Sequence, residues 1–171
     1  MKKALLVIDM LNDFILDGAP LQVPDAKNII PNIKREIEKA RKDGYPVIYV
    51  CDAHDEDDVE FKIWPKHCVK NTEGAKVVDE LAPKKDDYIV EKTRYSGFFN
   101  TNLNDLLQDL GVDTLIVTGV VTNICVMYTV ADAVSLGYKV IVPKDCITGL
   151  DEKTHEFGIY QLEKVHMVEL I

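Results

Sequence analysis

Leu115-Ile-Val-Thr-Gly-Val-Val-Thr-Asn-Ile-Cys125-Val-Met-Tyr-Thr-Val-Ala-Asp-Ala-Val-Ser-Leu136 is the stretch that decides the fold class. It opens on the apolar run Thr114–Thr118, the pattern of a strand buried on both faces. From Asn123 it reads as a helix that stops at Gly137. A strand feeding straight into a helix is half of a βαβ unit, and the same alternation recurs along the chain. Apolar runs lie at Ala4–Ile8, Val47–Cys51, Tyr88–Val90, Thr114–Thr118, Lys139–Val142 and His166–Leu170. Between them, Asn28–Asp43 carries Ile30, Ile33, Ile37 and Ala40 at spacings of three and four and closes at Gly44. Thr101–Leu110 aligns Leu103, Leu106, Leu107 and Leu110, and Asp151–Lys164 begins at Asp151, a residue suited to an N-cap. The expected architecture is a single domain over 1–171, a three-layer α/β/α sandwich around a six-stranded, mostly parallel sheet.

A chain of 171 residues that is 47% hydrophobic is large enough for one such core. Its net charge of −9, with no Lys/Arg cluster, excludes the basic face that a nucleic-acid partner requires. No apolar run reaches the roughly 18 residues of a membrane span, so no membrane partner is expected. Met1-Lys-Lys-Ala-Leu-Leu-Val-Ile-Asp9 reads as a strand rather than a signal peptide, which makes the cytosol the expected location. The cysteines at 51, 68, 125 and 146 form no CxxC pair, so a zinc ribbon or thioredoxin-type centre is not expected.

In open α/β sheets ligands bind beyond the carboxyl ends of the strands. There the first strand delivers Asp9, the second Cys51-Asp52-Ala53-His54, the third Glu91-Lys92, and the fourth leads to Cys125. A thiol at a helix N-terminus meets the positive end of the macrodipole, which lowers its pKa from roughly 8.5. The bland alternative is a small buried hydrophobe. Asp9, ending a buried strand, needs a partner, and Lys92 can supply it. A structural ion pair is the competing reading. With a thiol beside them, the carboxylate can take the thiol proton and return it to a leaving group while the ammonium steadies the thiolate.

A second constellation is Asp52-x-His54 with His67, in Trp64-Pro-Lys-His67-Cys68. Two imidazoles and a carboxylate suit zinc or iron with positions left open. The loop from Asp52 to Thr72 is long for a compact domain, and Leu16–Asp25 is also irregular. The acidic residues Asp55, Glu56, Asp57, Asp58 and Glu60 read as a solvated face, with Glu60 also a candidate fourth ligand. Cys68, adjacent to His67, points the other way on an extended segment.

Five motifs then occur in order: Val7-Ile-Asp9-Met-Leu-Asn-Asp13-Phe14; Asp52-Ala-His54; Trp64-Pro-Lys-His67-Cys68-Val-Lys-Asn-Thr72-x-Gly74; Lys92-x-x-Tyr95-Ser-Gly-Phe98; and Gly119-Val-Val-Thr122-Asn-Ile-Cys125-Val. Together they resemble the isochorismatase-like cysteine hydrolases, and most of all the nicotinamidases, also called pyrazinamidases, over nearly the whole chain. The resemblance implies a triad of Asp9, Lys92 and Cys125, a divalent metal, zinc first with iron or manganese as alternatives, on Asp52, His54 and His67, and a cis peptide at Val120–Val121. Two departures stand out. Leu11 occupies a position that is Gln in many relatives, and Asp55–Ile63 lacks the further histidine of several nicotinamidases, so any fourth protein ligand would be acidic, favouring a harder cation such as manganese.

The implied reaction is hydrolysis of nicotinamide to nicotinate and ammonia through a thioester on Cys125, with the oxyanion held by the N–H groups of Val121 and Cys125. Water held by the metal or activated by Asp9 would then free the acid, and the metal could also hold the pyridine nitrogen. A flat ring wants apolar walls, and Phe14, Trp64, Tyr95 and Leu21 are the candidates. The partner is thus a small-molecule amide, and relatives that associate imply a homo-oligomer. The alternatives are a cysteine amidase for a carbamoyl or ureido compound, and a non-catalytic binding protein on the same scaffold. An isochorismate hydrolase needs no cysteine at 125.

Overall fold

The computed structural model describes residues 1–171. Along the chain run β1 (Lys3–Ile8), α1 (Asn12–Ile15), α2 (Ala26–Lys42), β2 (Val47–Asp52), β3 (Tyr88–Lys92), α3 (Leu103–Asp109), β4 (Thr114–Val120), α4 (Met127–Ser135), β5 (Lys139–Val142), β6 (Ile147–Thr148), α5 (Glu152–Tyr160) and β7 (Glu169–Leu170). The sheet order is β3-β2-β1-β4-β5-β7, with β6 pairing β4, and every strand pairing is parallel. The expected six strands become seven. The extra one, β6, is only two residues long and pairs with Gly119 and Val120 just beyond the β5 register, too short to stand out as an apolar run. The expected sixth run, His166–Leu170, contracts to Glu169–Leu170 because a π-helical turn at Gln161–Val165 extends the preceding helix towards it.

Side-chain alternation on the central strands builds two cores. Leu5 and Val7 of β1, with Val47, Tyr49 and Cys51 of β2, pack against Ile29, Ile30, Ile33 and Ile37 of α2. Ala4, Leu6 and Ile8, with Ile48 and Val50, pack on the opposite face against Leu103 and Leu107 of α3 and Val130 and Ala133 of α4. Each buried Ile or Leu of these sets contributes about 1.5–3 kcal/mol. Leu11 is fully buried, so this position serves the core. The N-cap expected at Asp151 is formed: its carboxylate accepts the Thr154 N–H at 2.9 Å. No helix is long and apolar enough to cross a membrane.

Gly119 is required near the end of β4, where the strand runs beside β1. Its φ is +113°, and a Cβ there would lie 2.0 Å from the Ile8 carbonyl oxygen of β1. The close approach sets the last residues of β1 and β4 side by side, so that Asp9 and the segment after Val120 emerge at one edge. The peptide between Val120 and Val121 is cis.

Candidate active site

Asp9 follows β1 with φ of 51°, a left-handed conformation that Asp tolerates better than most side chains. Its carboxylate is fully buried, and its Oδ1 accepts the Asp52 N–H at 2.8 Å. Lys92, the last residue of β3, brings its ammonium nitrogen 2.9 Å from Asp9 Oδ2 and 3.5 Å from Cys125 Sγ, and also pairs with Asp52 Oδ1. It donates besides to the Arg94 carbonyl at 3.1 Å. One buried cation therefore serves two carboxylates, where Asp9 alone was expected as its partner. Asp9 Oδ2 receives no aligned hydrogen bond and keeps a lone pair for a proton.

Cys125 lies inside a π-helical turn, Thr122–Val126, that precedes α4. Its sulfur, an Asp9 oxygen and an Asp52 oxygen lie within 4.8 Å of one another. The expected depression of its pKa does not occur. Burial pushes the thiol well up, and the opposing pull of Lys92 does not cancel it. The resting group is a thiol that needs a base. Asp9 can act as that base, because burial first, then the neighbouring Asp52 charge, push its pKa up to about 6 against the pull of Lys92. Asp52 goes the other way. Burial works against its charge, but the adjacent Lys92 cation outweighs it and holds it below the usual carboxylate range. Burial disfavours the Lys92 cation, yet Asp52 and Asp9 together keep it firmly charged.

On the far side of Asp52 stands the second group. Asp52, His54, Glu60 and His67 are all buried and could each present one ligand atom to a common point. His54 Nε2 and His67 Nε2 approach Asp52 Oδ2 at 3.5 and 3.7 Å, and Glu60 Oε1 is 4.0 Å from His67 Nε2. Glu60, expected on a solvated face, is instead only 7% exposed, because the helical turn Val59–Lys62 rolls it inward. The outer nitrogens are engaged: His67 Nδ1 lies 2.7 Å from the Pro65 carbonyl, and His54 Nδ1 3.1 Å from Asp58 Oδ2. With protons on the Nδ1 atoms, the inward atoms are lone pairs without a donor among them, and His54 Nε2 has no hydrogen-bond partner. That arrangement fits a divalent cation.

Between the two groups opens a pocket lined by Phe14, Leu21, Trp64, Tyr95, Val121, Ile124 and Leu150, with Asp52, Glu60, His67 and Cys125 as its polar members. Phe14, from α1, meets the His67 ring edge-on at 5.4 Å, and the Trp64 indole N–H donates to the Tyr95 hydroxyl at 3.0 Å. Tyr95 is held over α4 because Ser96 donates to Asp132 at 2.5 Å and the Gly97 N–H to Thr129 at 2.9 Å. All the expected wall residues meet here. Ile124 and Leu150 were not anticipated, although Ile124 adjoins Cys125 and Leu150 closely follows β6. Phe61, also unforeseen, packs edge-on against both His54 and His67, with centroids 5.3 and 5.6 Å away. Cys51, Cys68 and Cys146 are buried outside this pocket. Cys68 is turned away from the metal donors by a φ of 45°, its N–H bound to Asp13 at 2.8 Å.

Residues 3–170 match the model of the isochorismatase domain. The chain belongs to the isochorismatase family. This isochorismatase-family chain is 40% identical to a probable inactive nicotinamidase of Arabidopsis thaliana, over 95% of its own length and 88% of the relative's. Its backbone superposes on the N-carbamoylsarcosine amidase of Thermoplasma acidophilum with a TM-score of 0.90 at 38% identity, covering 99% and 95% of the two chains. The pyrazinamidase of Pyrococcus horikoshii, solved in complex with zinc, gives 0.93 at 31%, covering 100% and 99%. Named relatives in this family include amidohydrolases that cleave C–N amide bonds, among them the nicotinamidase of Escherichia coli, 34% identical over 87% of this chain and 84% of the relative.

Proposed function

We propose that this protein is a metal-dependent cysteine amidohydrolase that converts nicotinamide to nicotinate and ammonia. The observation that carries the reading is a thiol 3.5 Å from a buried ammonium, itself 2.9 Å from a basic carboxylate, at the floor of an apolar pocket. Asp9 accepts the Cys125 proton as the sulfur attacks the carboxamide carbon, and the N–H groups of Val121 and Cys125 hold the developing oxyanion. Asp9 returns the proton to the departing nitrogen, and ammonia leaves a thioester. A water molecule, giving its proton to Asp9, adds to the thioester, the C–S bond breaks, and the sulfur recovers its proton. Lys92 keeps both carboxylates and the transient thiolate in balance.

Asp52, His54, His67 and Glu60 are the residues that would hold the cation, zinc being the first choice and manganese or iron compatible with the same donors. When bound, it supplies a Lewis acid at the pocket wall able to anchor a ring nitrogen. No Lys or Arg lines the pocket, whose polar groups are carboxylates, an imidazole and the thiol. A substrate carrying its own carboxylate would find no Lys or Arg to pair with, and the charge of a divalent cation would be largely neutralised by Asp52 and Glu60. That favours a neutral, flat heteroaromatic amide over carbamoyl or ureido acids. The 38% identity to an N-carbamoylsarcosine amidase favours the second reading. Ammonia release from nicotinamide and from N-carbamoylsarcosine, with and without chelator and metal repletion, decides between them. Nicotinamide is expected to be turned over and the acid not, with Cys125→Ala inactive but folded. Release only from the acid selects the alternative, and release from neither, under any metal condition, refutes the nicotinamidase reading.

A further inference from the structure

One carboxylate of the acidic loop faces inward without belonging to the donor set. The Asp58 side chain is 7% exposed, and its Oδ2 sits 3.1 Å from His54 Nδ1. Its Oδ1 accepts the Glu60 N–H at 2.8 Å. Arg94 places one guanidinium nitrogen 3.0 and 3.2 Å from the two oxygens and 3.8 Å from Glu60 Oε2. Asp58 does not line the pocket, and the proposed reaction makes no use of it. We propose that Asp58, clamped by Arg94, is the positioning residue of the metal centre, fixing His54 as the Nδ1-protonated tautomer whose Nε2 faces Asp52 and His67.

The inference rests on the metal reading above. A neutral imidazole has one N–H, and a carboxylate at Nδ1 fixes it there, leaving Nε2 as the lone pair that a cation needs. The orphaned state of that same Nε2 is the independent sign of a ligand. A negative partner on the outer nitrogen also makes the inner one a stronger donor. Asp58 needs Arg94, because a third carboxylate beside Asp52 and Glu60 would otherwise be an uncompensated charge in a dry site. The two imidazoles are therefore unequal. His67 has only the neutral Pro65 carbonyl behind it, so His54 is the stronger of the pair. Arg94 also reaches the triad, through the carbonyl that accepts from Lys92 at 3.1 Å, so one residue braces both halves of the site.

The test is zinc affinity of the chelator-stripped protein, measured by competition with a chromophoric chelator and paired with the visible spectrum of the cobalt-loaded form. Asp58→Ala is expected to bind zinc about 10- to 100-fold more weakly while keeping its circular dichroism. Asp58→Asn, which keeps an acceptor but not the charge, is expected to fall between it and the parent and to restore the parent cobalt spectrum. Asp58→Ala binding as tightly as the parent overturns the inference. If that variant does not fold, parent-like affinity of Asp58→Asn overturns it instead. A parent protein that binds no zinc, or binds it equally well as His54→Ala, overturns the metal reading and this inference with it.

Discussion

Replacing Lys92 by Met tests the charge arrangement directly. Met keeps the unbranched apolar stem, one atom shorter, but removes the cation shared by Asp9 and Asp52, leaving two buried carboxylates opposite each other. Breaking a buried pair by removing one partner costs about 3–5 kcal/mol. The cost must depend on pH, and the sign follows from Asp9. With Lys92 present its pKa is already about 6 when folded, against roughly 3.9 for an unfolded Asp. Without the cation it rises further. A carboxyl whose folded pKa is raised holds its proton longer in the native state, so stability falls as pH climbs from the unfolded value through the folded one. Urea unfolding followed by circular dichroism, in chelator, should show Lys92→Met destabilised by about 3–5 kcal/mol at pH 8 and clearly less at pH 5. Adding Asp9→Asn should recover part of the loss at pH 8. A single variant within about 1 kcal/mol of the parent at pH 8, or one whose deficit is the same at both pH values, refutes the idea that Lys92 neutralises two buried anions.

The same Asp9 value predicts the acid limb of catalysis: as the base must be ionised to take the thiol proton, kcat/KM should fall below about pH 6, seen in a pH–rate profile of ammonia release, and Asp9→Asn should be inactive across the range. Gly119→Ala should fail in expression or lose roughly 4 kcal/mol or more by urea unfolding, since its Cβ would press on the Ile8 carbonyl of a neighbouring central strand.

The sheet is readable in the sequence because parallel strands covered by helices on both sides must be apolar throughout, and Ala4–Ile8, Val47–Cys51 and Thr114–Thr118 are. Ile147–Thr148 escapes that test, being two residues that pair only because β4 overruns β5. The positions of Asp9, Asp52 and Lys92 are legible for a related reason, since polar residues at the ends of buried strands stand out against their neighbours. His54 and Cys125 follow closely on such ends, whereas His67 stands out only by its Trp64-Pro-Lys-His67 setting in the loop. The acidic loop is not legible in this way. Asp55, Glu56 and Asp57 are exposed while Asp58 and Glu60 turn inward, and only the folded path of Val59–Lys62 and the approach of Arg94 from beyond β3 separate them. The state of the thiol also depends on tertiary context. Helix position argues for a lower pKa, but burial at the bottom of the pocket is the larger effect.

The left-handed backbone at Asp9 also restricts which replacements the site can accept. Asn and Gly fit that conformation but bring no acid, whereas Glu brings the acid and fits the backbone poorly, with an added methylene that would drive its oxygens past Lys92. The choice of the shorter acid is thus made by the main chain before chemistry is consulted. Random change at this codon has almost no route to a working alternative, so loss of activity there is far easier to reach than its adjustment.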